Sequence, residues 1–284
     1  MKLFLISIIY LVFAPIAGGL IAGLDRIISA RMQARVGPPI FQPFYDTFKL
    51  FNKENLVVRR SQNLYVYFFL IFVIFTGLLF FTGGDLLLVI FALTLAAMFL
   101  VLAGYKASSP YSFIGAQREL IQMMAYEPMV LLMAVGMYIV TKSFYVSDIA
   151  VFDKPVFLRI PAIFIGFVYI LLIKFRKSPF DLSMSHHAHQ ELVKGLSTEF
   201  SGKALALIEI AHWYEHVFLL GFVYLFFAYS VAAGLIAVAA VFFLMILVDN
   251  TFARVKWRLT LESSWLVALV LGMGNILVLY FIKR

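Results

Sequence analysis

Residues 85–104 read DLLLVIFALTLAAMFLVLAG, an apolar run whose single charge is its first residue. About 20 consecutive apolar residues cross the roughly 30 Å hydrocarbon core as a helix. In lipid every backbone amide must pair internally, which leaves helices or a closed barrel. Barrel strands alternate apolar and polar side chains, whereas this run is continuous, so it reads as helix. Comparable runs recur, and eight spans are expected at 3–24, 64–82, 85–104, 119–141, 156–174, 204–228, 231–249 and 263–281. The fold class is therefore all-α: a polytopic membrane protein with about eight transmembrane helices plus amphipathic helices, forming one membrane domain over 1–284.

Composition agrees. Hydrophobic residues make up 63% of the chain, charged residues 13%, and the mean hydropathy is +0.98. A soluble domain averages roughly 25% charged. The first run has features of a signal peptide (Lys2 before it, Ala14 and Ala17 late in it). It is too long for one and flows into a basic helical pattern, so it reads as a span. There is no cysteine, hence no disulfide and no thiolate ligand for an iron–sulfur cluster, nickel or copper. If the chain serves a redox machine, the electrons run through other subunits.

The net charge of +8 could suggest nucleic acid, but in a membrane protein basic residues mark cytoplasmic loops. Seventeen of the 23 Lys and Arg fall in the loops after spans one, three, five and seven, with Lys174 counted in the third of these. Those loops are expected in the cytoplasm and both termini outside, in a cell membrane, with no nucleic-acid partner. Two loops are long, 25–63 and 175–203, and carry most of the polar chemistry as a docking face.

In the first loop Arg31 and Arg35 are four apart on one helical face, with Met32 and Val36 on another; Gly37-Pro38-Pro39 is expected to stop the helix. A second amphipathic segment over 42–53 places Phe44, Phe48 and Phe51 toward lipid or protein. This pattern fits a helix lying on anionic lipid or a platform for a soluble partner.

Span four carries Glu127 before Pro128. A charge at that depth costs about 2.5–3.5 kcal/mol on insertion scales, so such groups are protonated, paired or beside water, and usually functional. Pro128 is expected to kink the helix and free a carbonyl. Glu119 sits near the cytoplasmic end of the expected span, where solvent is the simple reading.

Span six holds ALIEIAHWYEHVFL at 206–219. Glu209, His212 and His216 recur at helical spacings, flanked by Glu215. His212 to Glu215 to His216 fits the H-x-x-E-H pattern of inverted zincins, which opens one alternative of another class: an intramembrane zinc metalloprotease. The plainer reading is a polar helix face that holds and passes protons, because imidazole titrates near neutrality. All five histidines lie between 186 and 216, and three of them fall in SHHAHQELVKGLSTEFSG at 185–202. There His187, His189, Glu191 and Glu199, with Asp181 just before, stand among Leu192, Val193 and Phe200. That suggests a loop folded back against the membrane.

These segments resemble the membrane subunit that lines the quinone chamber of respiratory complex I, and its relatives in energy-converting NiFe hydrogenases. ARMQARVGP at 30–38 and QPFYDTFKLFNKE at 42–54 look like the family's first cytoplasmic loop. RELIQMMAYE at 118–127 matches its R-x-x-x-Q-x-x-S/A-Y-E. SPFDL at 178–182 and QELVKGLSTEFSG at 190–202 match its third cytoplasmic segment. Quinone-reducing members tend to have P-E-A-E-Q-E-L where this chain has MSHHAHQEL. His187 and His189 take two acidic places, and the usual early glutamate of span six is bracketed by Glu209 and His212. The form resembles the hydrogenase branch or its sulfur-reducing cousins.

The resemblance implies a non-catalytic coupling subunit with no cofactor of its own. Iron–sulfur clusters and a NiFe centre would sit in partners: hydrogenase large and small subunits and an iron–sulfur subunit, beside antiporter-like membrane subunits in the lipid bilayer. It implies that Arg26, Arg31, Arg35, Asp46 and Lys49 dock the soluble arm. Asp181, His187, His189, Glu191 and Glu199 would respond to redox state. Glu127, Glu209, His212 and Glu215 would carry the polar path onward. The equivalent subunit of a sulfur reductase or of complex I is the near alternative.

Overall fold

The computed structural model describes residues 2–54, 60–183 and 195–282. In order the helices are α1 (Lys2–Met32), α2 (Gln42–Phe51), α3 (Arg60–Phe81), α4 (Leu86–Lys106), α5 (Pro110–Thr141), α6 (Val146–Ala150), α7 (Val156–Arg159), α8 (Pro161–Lys174), α9 (Gly202–Phe226), α10 (Val231–Thr251), α11 (Trp257–Val267) and α12 (Gly274–Ile282). A π-helical stretch, Ala268–Met273, joins α11 to α12. Among the described residues the sole β pairing is one isolated bridge, Asp85 to Tyr145.

Seven of the described helices are long and apolar enough to cross a membrane: α1, α3, α4, α5, α9, α10 and the run from α11 to α12. The fifth expected span departs from this. It breaks at Ile160–Pro161, leaving α8 with 14 residues. At 1.5 Å per residue α8 is about 21 Å long, short of the hydrocarbon core. Pro161, with no N–H to give, starts α8 and separates it from the single turn of α7. Three spans run well beyond expectation, the last of them because α11 begins at Trp257 rather than 263. Helix α5 begins at Pro110 rather than 119, and α1 continues to Met32. Asp85 is not a span residue; its carboxylate caps α4 by accepting from the N–H groups of Leu87 and Leu88 at 2.8 and 3.1 Å.

Spatially the described chain falls into two compact units. The first comprises Met1–Leu78, Ala92–Ile121 and Asp181–Val217; the second comprises Leu79–Phe91, Gln122–Phe180 and Phe218–Arg284.

In the first unit small residues of α1 admit other backbones. A Cβ on Gly18 would lie 2.3 Å from the Trp213 carbonyl oxygen of α9, and one on Gly23 would lie 2.0 Å from the Ile40 carbonyl oxygen. Phe44 of α2 fills the space over Gly19 and stacks at a tilt on Trp213, with centroids 5.1 Å apart. Helix α1 stops at Met32, earlier than Gly37-Pro38-Pro39 suggests. Ala34 adopts a positive φ of 55°, and Arg35 N–H reaches back to the Ala30 carbonyl at 2.8 Å, a Schellman ending. Arg35 therefore lies beyond the helix and shares no helical face with Arg31. On α2 the expected aromatic face also divides: Phe44 turns inward with buried Pro43 and Thr47, while Phe48 and Tyr45 are exposed.

In the second unit Phe80, Phe218 and Phe222 form one aromatic contact group, and Phe164, Phe167, Phe226 and Phe227 another joined to it. Met129 of α5 sits between two glycines, Gly166 of α8 and Gly272 of the π stretch.

Both prolines inside spans release a carbonyl four residues earlier, because a proline has no N–H to bond it. Both carbonyls are taken by aromatic donors. Tyr214 Oη–H donates to Leu11 O, freed by Pro15, at 2.7 Å. Trp265 Nε1–H donates to Met124 O, freed by Pro128, at 3.1 Å. Sequence foresaw the freed carbonyl at Pro128 but not its partner. Tyr214→Phe should lower thermal stability in detergent by about 1–2 kcal/mol, since a polar group in hydrocarbon is left unpaired. In a Pro15→Ala background the helix reclaims the carbonyl, so the same change should cost little. An equal loss in both backgrounds would overturn this account.

Candidate functional site

The polar side chains form separate groups, each within one unit. In the first unit Arg26 of α1 is ion-paired with Asp46 of α2 at 2.7 Å, and Gln42 Nε2–H donates to the other Asp46 oxygen at 2.8 Å. Burial pushes the Asp46 carboxyl up, but the hydrogen bonds from Arg26 and Gln42 and the charges of Arg26 and Lys49 outweigh it and hold the group below its ordinary value of 3.8. Arg31, Arg35 and Lys49 are exposed, and Arg35 donates to Gln33. This is a basic surface fastened at one internal pair.

A depressed carboxyl stabilises the fold above its unfolded value, and that stabilisation is lost as pH falls through the folded one. Amide protection over 42–51, measured against the intrinsic exchange rate at each pH, should therefore be high at pH 6 and fall below about pH 3.8, the ordinary Asp value. Asp46→Asn should remove that pH step. A step that persists in Asp46→Asn would assign it to another group.

On α9 the chain is buried nearly all round: Ala211, His212, Trp213, Tyr214 and Glu215 are all buried. His212 Nδ1 lies 3.3 Å from Glu215 Oε2, and its ring meets Phe69 of α3 edge-on at 5.7 Å. Glu209 is half-buried one turn earlier. Phe69 covers His212 on the face the sequence marks as polar, and Gly18 of α1 meets the α9 backbone at Trp213 beside it. Among the described residues no group of three His, Asp or Glu side chains converges as metal ligands. The zinc alternative therefore lacks a third ligand there, while His187, His189 and Glu191 lie outside the described residues.

Asp181 is 5% exposed and Glu199 is half-buried after a 3-10 turn at Gly195–Ser197. Arg118 Nη1–H donates to Leu182 O at 3.2 Å, and Ser183 Oγ–H donates to Glu119 Oε2. Glu119 is 4% exposed, so the expectation of a solvated group fails. The reason is the length of α5, whose first turns (PYSFIGAQ) are too polar to register as span.

In the second unit Glu127 is half-buried, and its Oε1 is shielded with no hydrogen-bond partner among the described residues. Gln122, 1% exposed, donates through Nε2 to Phe180 O at 2.6 Å. Lys174 corrects a second expectation: it is 8% exposed, not a loop residue, and its ammonium sits 3.9 Å above the Tyr126 ring. Lys177 pairs with Asp249 of α10 at 3.1 Å, and Ser178 N–H donates to the same carboxylate at 2.8 Å. Tyr169 and Ser263 hydroxyls meet at 2.7 Å between α8 and α11. Sequence reasoning missed Glu119, Gln122, Lys174 and this hydroxyl pair. Arg118-Glu119 and Gln122 stood in the motif at 118–127, but nothing in spacing alone says that they turn inward.

Comparison with known proteins fits this geometry. A family model described as NADH dehydrogenase matches residues 4–280. Hydrogenase-4 component C of Escherichia coli is 30% identical over 291 aligned residues, covering 92% of this chain and 90% of that protein. A subunit of the NADH-quinone oxidoreductase of Syntrophotalea carbinolica is 28% identical, covering 89% of this chain and 88% of that one. A chain in the structure of the archaeal membrane-bound sulfane sulfur reductase superposes with a TM-score of 0.85 over 97% of this chain and 100% of that one, at 24% identity, which shows a shared fold. With an apolar helical architecture, buried carboxyl groups on α5 and α9, and a match across nearly its whole length, this chain belongs to the NADH dehydrogenase family and is a membrane subunit of a complex I-like complex.

Proposed function

We propose that the chain is the non-catalytic coupling subunit of a redox-driven ion pump, most closely of the membrane-bound NiFe hydrogenase type, which reduces protons to hydrogen. The observation that carries this reading is a set of titratable groups in membrane helices, buried at Glu119, His212 and Glu215 and half-buried at Glu127, in a chain with no thiolate. Such groups hold and pass protons; they cannot bind an iron–sulfur cluster through sulfur. Similarity to hydrogenase-4 component C over most of both chains supports the hydrogenase branch.

In this reading Arg26, Arg31, Arg35, Asp46 and Lys49 receive a soluble arm carrying the iron–sulfur clusters and the NiFe centre. Asp181, His187, His189, Glu191 and Glu199 respond to its redox state. Glu127, Glu209, His212 and Glu215 pass the effect into the bilayer toward antiporter-like subunits. The docking loops face the cytoplasm and both termini lie outside. The fold is shared with a sulfur-reducing complex, so fold leaves the electron acceptor open and metal content decides it.

The test is purification from native membrane in mild detergent, with subunit composition and nickel, iron and zinc measured together. Iron with nickel is expected. Iron without nickel would move the assignment to a sulfur- or quinone-reducing relative. A lone chain with one zinc would overturn it in favour of the protease.

A further inference from the structure

The connection between α10 and α11 carries Arg254, Lys256 and Arg258 within five residues and belongs neither to the docking surface nor to the polar path. Its backbone is strapped down. Phe252 N–H donates to Val248 O at 3.1 Å, Ser178 Oγ–H donates to Phe252 O at 2.9 Å, and Val255 N–H donates to Pro179 O at 3.0 Å. Asp249, the acid at this end of α10, is engaged by Lys177 and by Ser178 N–H. From there to Glu262 the sequence holds no acid. Glu262 accepts from Arg258 Nε at 2.7 Å, one turn along α11, which fixes the direction of that guanidinium. Lys256 is exposed. Phe252 and Trp257, the aromatic residues beside these cations, are 61% and 50% exposed.

The helices on either side continue the pattern. In their most apolar stretches α10 and the run from α11 to α12 are only 22% and 17% buried. Leu244 and Leu247 are exposed on α10, as are Leu259 and Leu266 on α11. Apolar helix sides, then exposed aromatics, then cations follow the layers of one bilayer leaflet: tails, glycerol level, phosphate level. A protein interface core, by contrast, is depleted of lysine. We propose that the α10–α11 connection binds the headgroup of an anionic phospholipid, with Lys256 and Arg258 as its cations and Phe252 and Trp257 packed at glycerol level. The phosphate of a zwitterionic lipid carries its own counter-cation, so two fixed cations favour a lipid with net negative charge. The strapped backbone holds these side chains in place before the lipid arrives, which lowers the entropy cost of binding. The inference does not depend on the electron acceptor or the ion path.

The test uses the whole complex in nanodiscs of equal phosphatidylglycerol and phosphatidylcholine, with the photo-reactive p-benzoylphenylalanine replacing Phe252. After irradiation the lipid adducts should be enriched in phosphatidylglycerol about fivefold or more. The same probe replacing Leu235, exposed in the second turn of α10 beside the uncharged Tyr229-Ser230, should return the ratio of the mixture. Lys256→Gln combined with Arg258→Gln should bring the Phe252 probe to within about twofold of that ratio. Raising salt from about 0.1 M to about 1 M should do the same with the native cations, because exposed charges are screened. No enrichment at position 252, or enrichment that survives the double substitution, overturns the proposal. An adduct to another polypeptide in place of lipid overturns it in favour of a partner subunit. If the double variant does not assemble, the salt series decides, and enrichment that salt leaves unchanged overturns it.

Discussion

Glu127→Gln is expected to give a complex that assembles and evolves hydrogen but loses roughly tenfold or more of its ion gradient. The amide matches the carboxyl in size, so this stretch of α5, where Met123, Tyr126 and Val130 are buried, keeps its packing. What it removes is the ability to change charge. Glu127 sits in the middle of α5, half-buried, with Oε1 shielded and unpartnered among the described residues. A neutral side chain there should not weaken the fold, because an ionisable group in that place is a cost. Assembly is read by co-purification and gradient by a pH- or potential-sensitive dye. Full ion pumping in this variant would remove Glu127 from the path.

The largest structural effect is expected from Gly18→Val. The Trp213 carbonyl oxygen and carbon already lie 2.3 and 2.6 Å from where a Cβ would stand. Both are backbone atoms of a helix, so nothing small can give way, and α1 and α9 must separate. Separation would also open the contacts between Tyr214 and the α1 backbone and between the Tyr10 and Tyr214 rings, whose centroids are 5.5 Å apart. The cost should exceed about 3 kcal/mol, and the subunit should fail to accumulate in the membrane. Gly274→Ala is the matched control. Its added Cβ meets nothing within 4 Å, and alanine favours helix, so accumulation should be unchanged. Normal accumulation of Gly18→Val would refute the close backbone crossing.

Much of this molecule is legible in one dimension. The membrane class, the helical character of each span and the two polar loops follow from the length and continuity of apolar runs, because lipid allows an unbroken apolar segment few other conformations. The helical spacing put His212 on a face with Glu209 and His216 and left Glu215 at its flank, whereas in the structure His212 meets Glu215, three residues on.

Tertiary structure alone decided other points. Periodicity gives spacing along a helix, not how far the helix extends into polar sequence or what covers its sides. Helix α5 gains turns before Arg118 whose Ser and Gln side chains lower its hydropathy, and so Glu119 is buried rather than at a rim. Lys174 reads as a loop cation because it ends an apolar run, yet Tyr126 covers it. Ile160–Pro161 cuts the fifth span, and no apolar count registers that. Tyr214 and Trp265 find carbonyls freed by prolines on other helices, 203 and 141 residues away in sequence. Local sequence sets which backbone groups lack partners; only the packing of distant helices decides what supplies them.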